Sequence, residues 1–445
     1  MKLNRKHLYT ALIAGTIVFF VVILVFSKKA EAGIPGYVEP KGAYAQSEEW
    51  LNSKKEMDNC LEALKTKPED TKTMLKLIQA YINESRVTGN HGYYDKAALQ
   101  LTEMVLKKEP ENFDALCCKG TVLLSQHHFS EALEVTNKAG KINPDNAFIY
   151  GLRCDANVEL GNYEEAVKMA DKMISIRPDI RSYSRVSYLR EIYGDIPGAI
   201  SAMKLAIAAG YPGVEQTEWS RMILGHLYES IGSLDSAERT YNVALLERPD
   251  YAFAYAGLGR IAKAKGNYKE AISFYEKADK LITEFSFADE LTDLYLLNNE
   301  KDKSEKSAQR VIEMLGPGSG DESEEVHGHY ADKELAYAYL KTDDLDKALE
   351  HAKTEYERRP QNIDVCETMA WVYYKRGEFA EANKMINVAL KTGSKNPVLL
   401  CRAGLIKIKA GEKEKGEPMI RTAFEMNPFL DPMLKKEAQP YIVII

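Results

Sequence analysis

Two patterns of apolar and polar positions divide the chain. Leu8 to Phe26 carries no charged residue over 19 positions, and as a helix rising ~1.5 Å per residue it reaches roughly 28 Å, close to the ~30 Å hydrocarbon core of a bilayer. Beyond it, small, apolar and polar residues recur on a fixed ruler. Pro110, Pro144, Pro178 and Pro212 follow one another at intervals of 34 residues; from Pro249 the same interval passes Thr283 to reach Pro317, and from Pro360 it passes Ser394 to reach Pro428. Twelve residues before these marks stand Ala98, Ala132, Ala166, Ala237, Ala271, Ala348 and Ala382, with Gly416 as the odd member. Seventeen before stand Gly161, Gly232, Gly266, Gly377 and Gly411. Twenty-four before stand Gly120, Cys154, Gly225, Gly259, Ala336, Ala370 and Gly404.

Each column has a mechanical reason, and together they predict two antiparallel helices per unit. Gly161 reaches left-handed backbone cheaply and ends a helix; Asn162 is then placed to cap the next one, with Glu165 reaching back as in a capping box. Asn267 and Glu270 repeat the arrangement. Gly259 and Ala271 fall where the helices of a pair approach most closely, and Phe129, Tyr163, Leu234, Tyr268, Leu345 and Phe379 fill the space between them. Proline stops the second helix. A helix of about a dozen residues cannot bury its apolar face alone, so stability comes from stacking the pairs. The predicted class is all-α: a membrane segment at 1–32, a Gly- and Pro-rich linker at 33–45, a solenoid of about ten helix pairs at 46–428, and a cap at 429–445 whose ending, Tyr441 to Ile445, docks on the last pair.

The segment Ala254 to Ala278, AYAGLGRIAKAKGNYKEAISFYEKA, resembles a tetratricopeptide repeat in its period and its Gly, Tyr, Ala and Pro pattern. The likeness runs over roughly residues 68–428. It departs at 284–317, where Glu300 and Glu305 replace the glycine and the alanine, and at insertions near Arg86 to Tyr94, after Pro212, after Pro317 and near Gly393 to Pro397. The resemblance implies a TPR-like α-solenoid, a right-handed superhelix whose concave groove, lined by the first helix of each pair, binds peptides or other proteins. Some members of the family grip a C-terminal carboxylate with lysines and asparagines. The corresponding places here hold Cys117 and Thr121, Met222 and His226, or Ala256 and Arg260, so that clamp is absent.

Composition narrows the partners. With 59 Lys plus Arg against 66 Asp plus Glu and no basic block, the chain has no footprint for nucleic acid. Its six cysteines show no C-x-x-C spacing, and neither a zinc site nor a disulfide framework is expected. Lys2, Arg5 and Lys6 precede the apolar stretch and Lys28 and Lys29 follow it, which places the body outside the cytoplasm, in the periplasm if the source is bacterial. Secretion after cleavage near Ala30-Glu31-Ala32, or a cytoplasmic body, are the alternatives.

Thirty residues before the marks lies a row of aromatic residues: Phe148, Trp219, Phe253, Phe287 and Tyr330. They form either a ladder for an extended peptide or a sugar face, or a piece of the packing between repeats. Catalytic signatures do not occur. Gly257-Leu258-Gly259 sits mid-helix without the third glycine of a dinucleotide loop. His127, His128, His327 and His329 lack carboxylate or thiol partners at ligand spacing and are expected to be exposed. The acidic run Gly316 to Glu325 reads as a solvated insertion, and Cys154 as core. The function expected is that of a membrane-anchored scaffold without cofactor or metal, binding protein partners through its groove. The alternative is an extracytoplasmic receptor for a cell-envelope polymer such as a glycan.

Overall fold

A computed structural model describes residues 33–40, 42–316 and 329–442. The stretch Leu8 to Phe26, the acidic run after Gly316, His327 and the last three residues lie outside them. Among the described residues no helix is long and apolar enough to cross a membrane, and all regular structure is helical. After a leading helix, Glu48–Thr66, come ten helix pairs. Their first helices are Thr71–Thr88, Phe113–Ser125, Ala147–Glu159, Ile180–Ile192, Glu215–Ser230, Ala252–Ala264, Phe285–Leu297, Asp332–Lys341, Ile363–Lys375 and Pro397–Lys409. A short helix, Pro432–Ala438, closes the stack, with Tyr441 and Ile442 packed against the same C-terminal core.

The turn inside each pair is left-handed at one residue. Gly161, Gly232, Gly266, Gly377 and Gly411 have φ between 69° and 90°. Where glycine is missing the geometry persists, at His127 (φ 63°), Asn299 (φ 62°) and Asp343 (φ 59°), so residues 284–317 keep the turn that the sequence pattern denied them. The expected caps after the turn are absent. Asn162 stands at φ −89° and ψ 58°, off the extended geometry of a cap, and its side chain donates to Asn157 Oδ1 at 3.2 Å instead. Asn267 makes no cap either. Two other turns are followed by side-chain caps, at Asp195 and Asp344; most caps sit at the other junction, just past the proline marks, where Asn112, Asn146, Asp179, Asn362 and Asn396 begin the first helices. The insertion near Arg86 to Tyr94 is absorbed by lengthening both helices of the first pair to 18 residues.

Close approach within a pair is as tight as the small-residue columns imply. A Cβ on Gly259 would lie 2.6 Å from Cδ2 of Tyr275, and between pairs one on Gly257 would lie 2.8 Å from the ring of Tyr241 on the preceding pair. Gly259→Leu is therefore expected to wedge the sixth pair apart, lowering stability by about 1–3 kcal/mol. Thermal melting tests it, and an unchanged transition would refute the packing role of this column.

First helices of successive pairs touch one another more extensively than second helices do, so the stack curves with the first helices on its inner side. The curve is tight enough for the array to meet itself. Asn362 Nδ2 donates to Glu159 O at 2.9 Å, Ile363 N to Tyr163 OH at 2.8 Å, and Asn427 Nδ2 to Glu229 O at 3.0 Å, between residues 198 to 203 apart in the chain. Arg359 pairs with Glu159 in the same seam, and Arg248 with Glu49 at 2.8 Å. In every case a turn or helix start in one coil meets the junction between pairs five to six units on. The array is thus a coil whose successive turns rest on each other.

Residues 33–40, expected to be a linker, are held along the start of the array. Tyr81 OH donates to Pro35 O at 2.6 Å, Tyr94 OH to Val38 O at 2.7 Å, Tyr93 OH to Gly36 O at 3.1 Å and Gln100 Nε2 to Gly33 O at 2.8 Å. Ile34 and Tyr37 pack on the core around Trp50, Tyr81 and Tyr94. The segment covers an apolar surface that the first pair would otherwise expose.

Candidate functional site

The inner side is lined by residues spaced three, four and seven apart on the first helices. It is strongly charged, and almost every charge is matched by one on the neighbouring helix. Arg185 Nε donates to Asp155 Oδ1 at 2.8 Å, Arg260 Nε to Glu229 Oε2 at 3.0 Å, and Lys263 Nζ lies 3.0 Å from Glu290. Lys341 bridges Asp289 and Asp293 at 2.8 and 2.9 Å, and Arg402 reaches Glu367 at 3.0 Å. Desolvation by the surrounding protein, helped by Asp364, pushes the carboxyl of the half-buried Glu191 up to about 7.

The aromatic row divides on this surface. Trp219, Phe253 and Phe287 form a continuous edge-to-face chain, with ring centroids 5.1 and 5.6 Å apart. The chain is graded: Phe287 is buried, Phe253 half-buried, and Trp219 is 40% exposed, whereas Trp50 and Trp371 are 2% and 7% exposed. Phe148 lies apart from them, half-buried beneath the guanidinium of Arg181 at 5.2 Å. Tyr330 is not on a helix. It stacks on His128 at 4.0 Å and donates its N–H to Gln126 O, and so belongs to the seam between coils.

The described histidines divide on their expected exposure in the same seam. His128 is buried and His127 half-buried, whereas His329 is exposed as expected. His127 stands 4.3 Å from His329, ring to ring, with its Nδ1 2.8 Å from Tyr330 O. Packing between coils covers His127 and His128, and the sequence could not bring positions two hundred residues apart together. Among the described residues no group of three or more His, Cys, Asp or Glu is arranged to hold a metal ion. All six cysteines are buried, and burial pushes the Cys154 thiol up to about 12, where it is inert.

Residues 254–284 match the family model of the tetratricopeptide repeat. The chain carries a tetratricopeptide repeat. The matched stretch is the sixth pair, whose glycine turn and alanine column recur along the array. Among relatives, lipopolysaccharide assembly protein B of Escherichia coli (strain K12) is 26% identical over 168 residues, which is 37% of this chain and 42% of that protein. The tetratricopeptide repeat-containing protein MJ1428 of Methanocaldococcus jannaschii is 22% identical over 349 residues, 77% of this chain and 55% of its own length. The chain thus spans about half the length of these curated relatives. Among solved structures, TTC0263, a tetratricopeptide protein of Thermus thermophilus, superposes over 40% of this chain and 91% of its own, with 23% identity and a TM-score of 0.34.

Proposed function

We propose that the protein is a scaffold rather than an enzyme, that it binds other proteins through the inner side of its tetratricopeptide array, and that residues before 33 anchor it to a membrane with the array outside the cytoplasm. The observation that carries the binding surface is Trp219, a large ring left 40% exposed on the lining beside Phe253. A fold that buries its other two tryptophans has no packing reason to leave this one wet. The uncharged stretch Leu8 to Phe26, with more basic residues before it than directly after it, supports the anchor and its direction.

Crosslinking in the native cell, followed by identification of what is caught, tests the scaffold. Trp219→Ala is expected to melt with the parent and to lose partner affinity about thirtyfold, since an aromatic anchor often accounts for 2 kcal/mol or more at an interface. Early melting, or undiminished capture of the same partners, would remove this surface from the reading. Capture of a polymer instead of protein would turn it to the glycan-receptor alternative.

A further inference from the structure

Between Phe148 on the third pair and Trp219 on the fifth, the row has an occupant that the aromatic pattern hides. Arg181 is the second residue of its helix, Ile180–Ile192, as Phe148 and Phe253 are of theirs. Its side chain is exposed, with the guanidinium over the ring of Phe148, 5.2 Å from the ring centroid. The arginines around it are paired: Arg185 with Asp155, Arg86 with Glu215 at 2.6 Å, and Arg177 with Asp179 at 3.2 Å. Arg181 has neither an ion pair nor a side-chain hydrogen bond among the described residues. On a lining where most other basic groups are matched, this is a donor fork held over Phe148 by a cation–π contact and left open.

We infer that the row Phe148, Arg181, Trp219 and Phe253 binds an extended peptide segment that presents an internal acidic side chain to Arg181 and apolar side chains to Trp219 and Phe253. The proposal rests on the scaffold reading above and names the chemistry of its partner. Geometry argues for an extended chain. Five to six first helices about 8–10 Å apart close a ring whose axes lie roughly 8–9 Å from the centre, and helix radii of about 5 Å leave a bore under about 10 Å. An extended strand passes through such a bore and a helix of ~10–12 Å does not. The rings of Trp219 and Phe253 stand 5.1 Å apart, and alternate residues of a strand, which share one face, stand ~6.6 Å apart, so side chains two residues apart meet successive pairs.

The probe is a synthetic peptide with one glutamate followed by two leucines at two-residue intervals in a serine background, titrated against the full chain while tryptophan emission is followed. Trp219 is the exposed reporter. Binding is expected to shift its emission, to weaken about tenfold or more when the glutamate is replaced by glutamine or when Arg181→Gln is made, and to recover in Arg181→Lys at low salt. Because Arg181 is exposed, these variants are expected to melt with the parent, which separates lost binding from lost fold. Equal binding of the glutamate and glutamine peptides would overturn the acidic assignment while leaving the groove as a binding surface. Binding of neither would overturn the inference outright, leaving crosslinking to decide the scaffold reading separately.

Discussion

Gly161→Ala is expected to separate adjacent coils of the array, whereas Gly266→Ala leaves them in contact. Both glycines end a first helix at nearly the same left-handed geometry, φ 80° and 79°, and alanine there is disfavoured by about 1–2 kcal/mol in either place. Their surroundings differ. A Cβ on Gly266 meets nothing within 4 Å; one on Gly161 would stand 2.3 Å from both C and O of Gln361 and 2.8 Å from Asn362 N, which is backbone of the coil above. That backbone is fixed by Asn362, whose side chain both caps its own helix and donates to Val158 O and Glu159 O. Overlap with a fixed main chain adds about 1–3 kcal/mol. Melting should show the larger loss in Gly161→Ala, and hydrogen exchange should show faster exchange of the Ile363 amide, which donates to Tyr163 OH. Equal behaviour of the two variants would mean that the coils do not rest on each other at this point.

Mild acid is expected to loosen the same seam one pair earlier. His127 faces His329, Lys333 and Glu334 from the opposing coil, with His91 and Asp95 of the first pair beyond His329. Burial, together with the charge of His329, lowers His127 to about 4, and burial lowers His329 as well. Apart, both rings return to ordinary values near 6.5. The closed seam therefore binds fewer protons than the open one between about 4 and 6.5. It is at full strength above 6.5, weakens as the pH falls, and reaches its floor near 4. For His127 alone the balance shifts roughly thirtyfold toward the open form by pH 5. The readout is protection of the Tyr330 amide, which donates to Gln126 O at 3.2 Å, measured at pH 7 and pH 5 after correction for intrinsic exchange. His127→Asn, which tolerates the left-handed turn, should flatten the dependence. Protection that is lost equally in the variant would assign the effect to other groups.

What the sequence made legible was local. The proline, glycine and alanine columns each report a clash or a turn within some thirty residues, and the helix pairs and the packing of Gly257 and Gly259 follow from them. Long-range geometry left no such trace. Nothing in the neighbourhood of Asn362 announces that its amide will reach Glu159 O, because a nearest-neighbour stack is compatible with an open spring as well as with closed coils. The row of five aromatics was likewise a statement about register. Register placed Trp219, Phe253 and Phe287 side by side, but Tyr330, preceding its helix, was drawn into the seam. Arg181 was invisible to a search for rings although it occupies the same step. The cap at Asn162 failed because the pattern Asn-x-x-Glu does not specify the backbone angles that a cap needs.

The seam also fixes how many units lie between its contacts. A linear repeat protein gains or loses a unit at one point without disturbing the rest. Here Asn362 meets Glu159 and Asn427 meets Glu229 across 203 and 198 residues, so a 34-residue unit added between them would carry each partner a full step past its mate, like a nut forced onto a thread of the wrong pitch. Duplication of an internal repeat, the ordinary way such proteins lengthen, is closed to this one except beyond its ends.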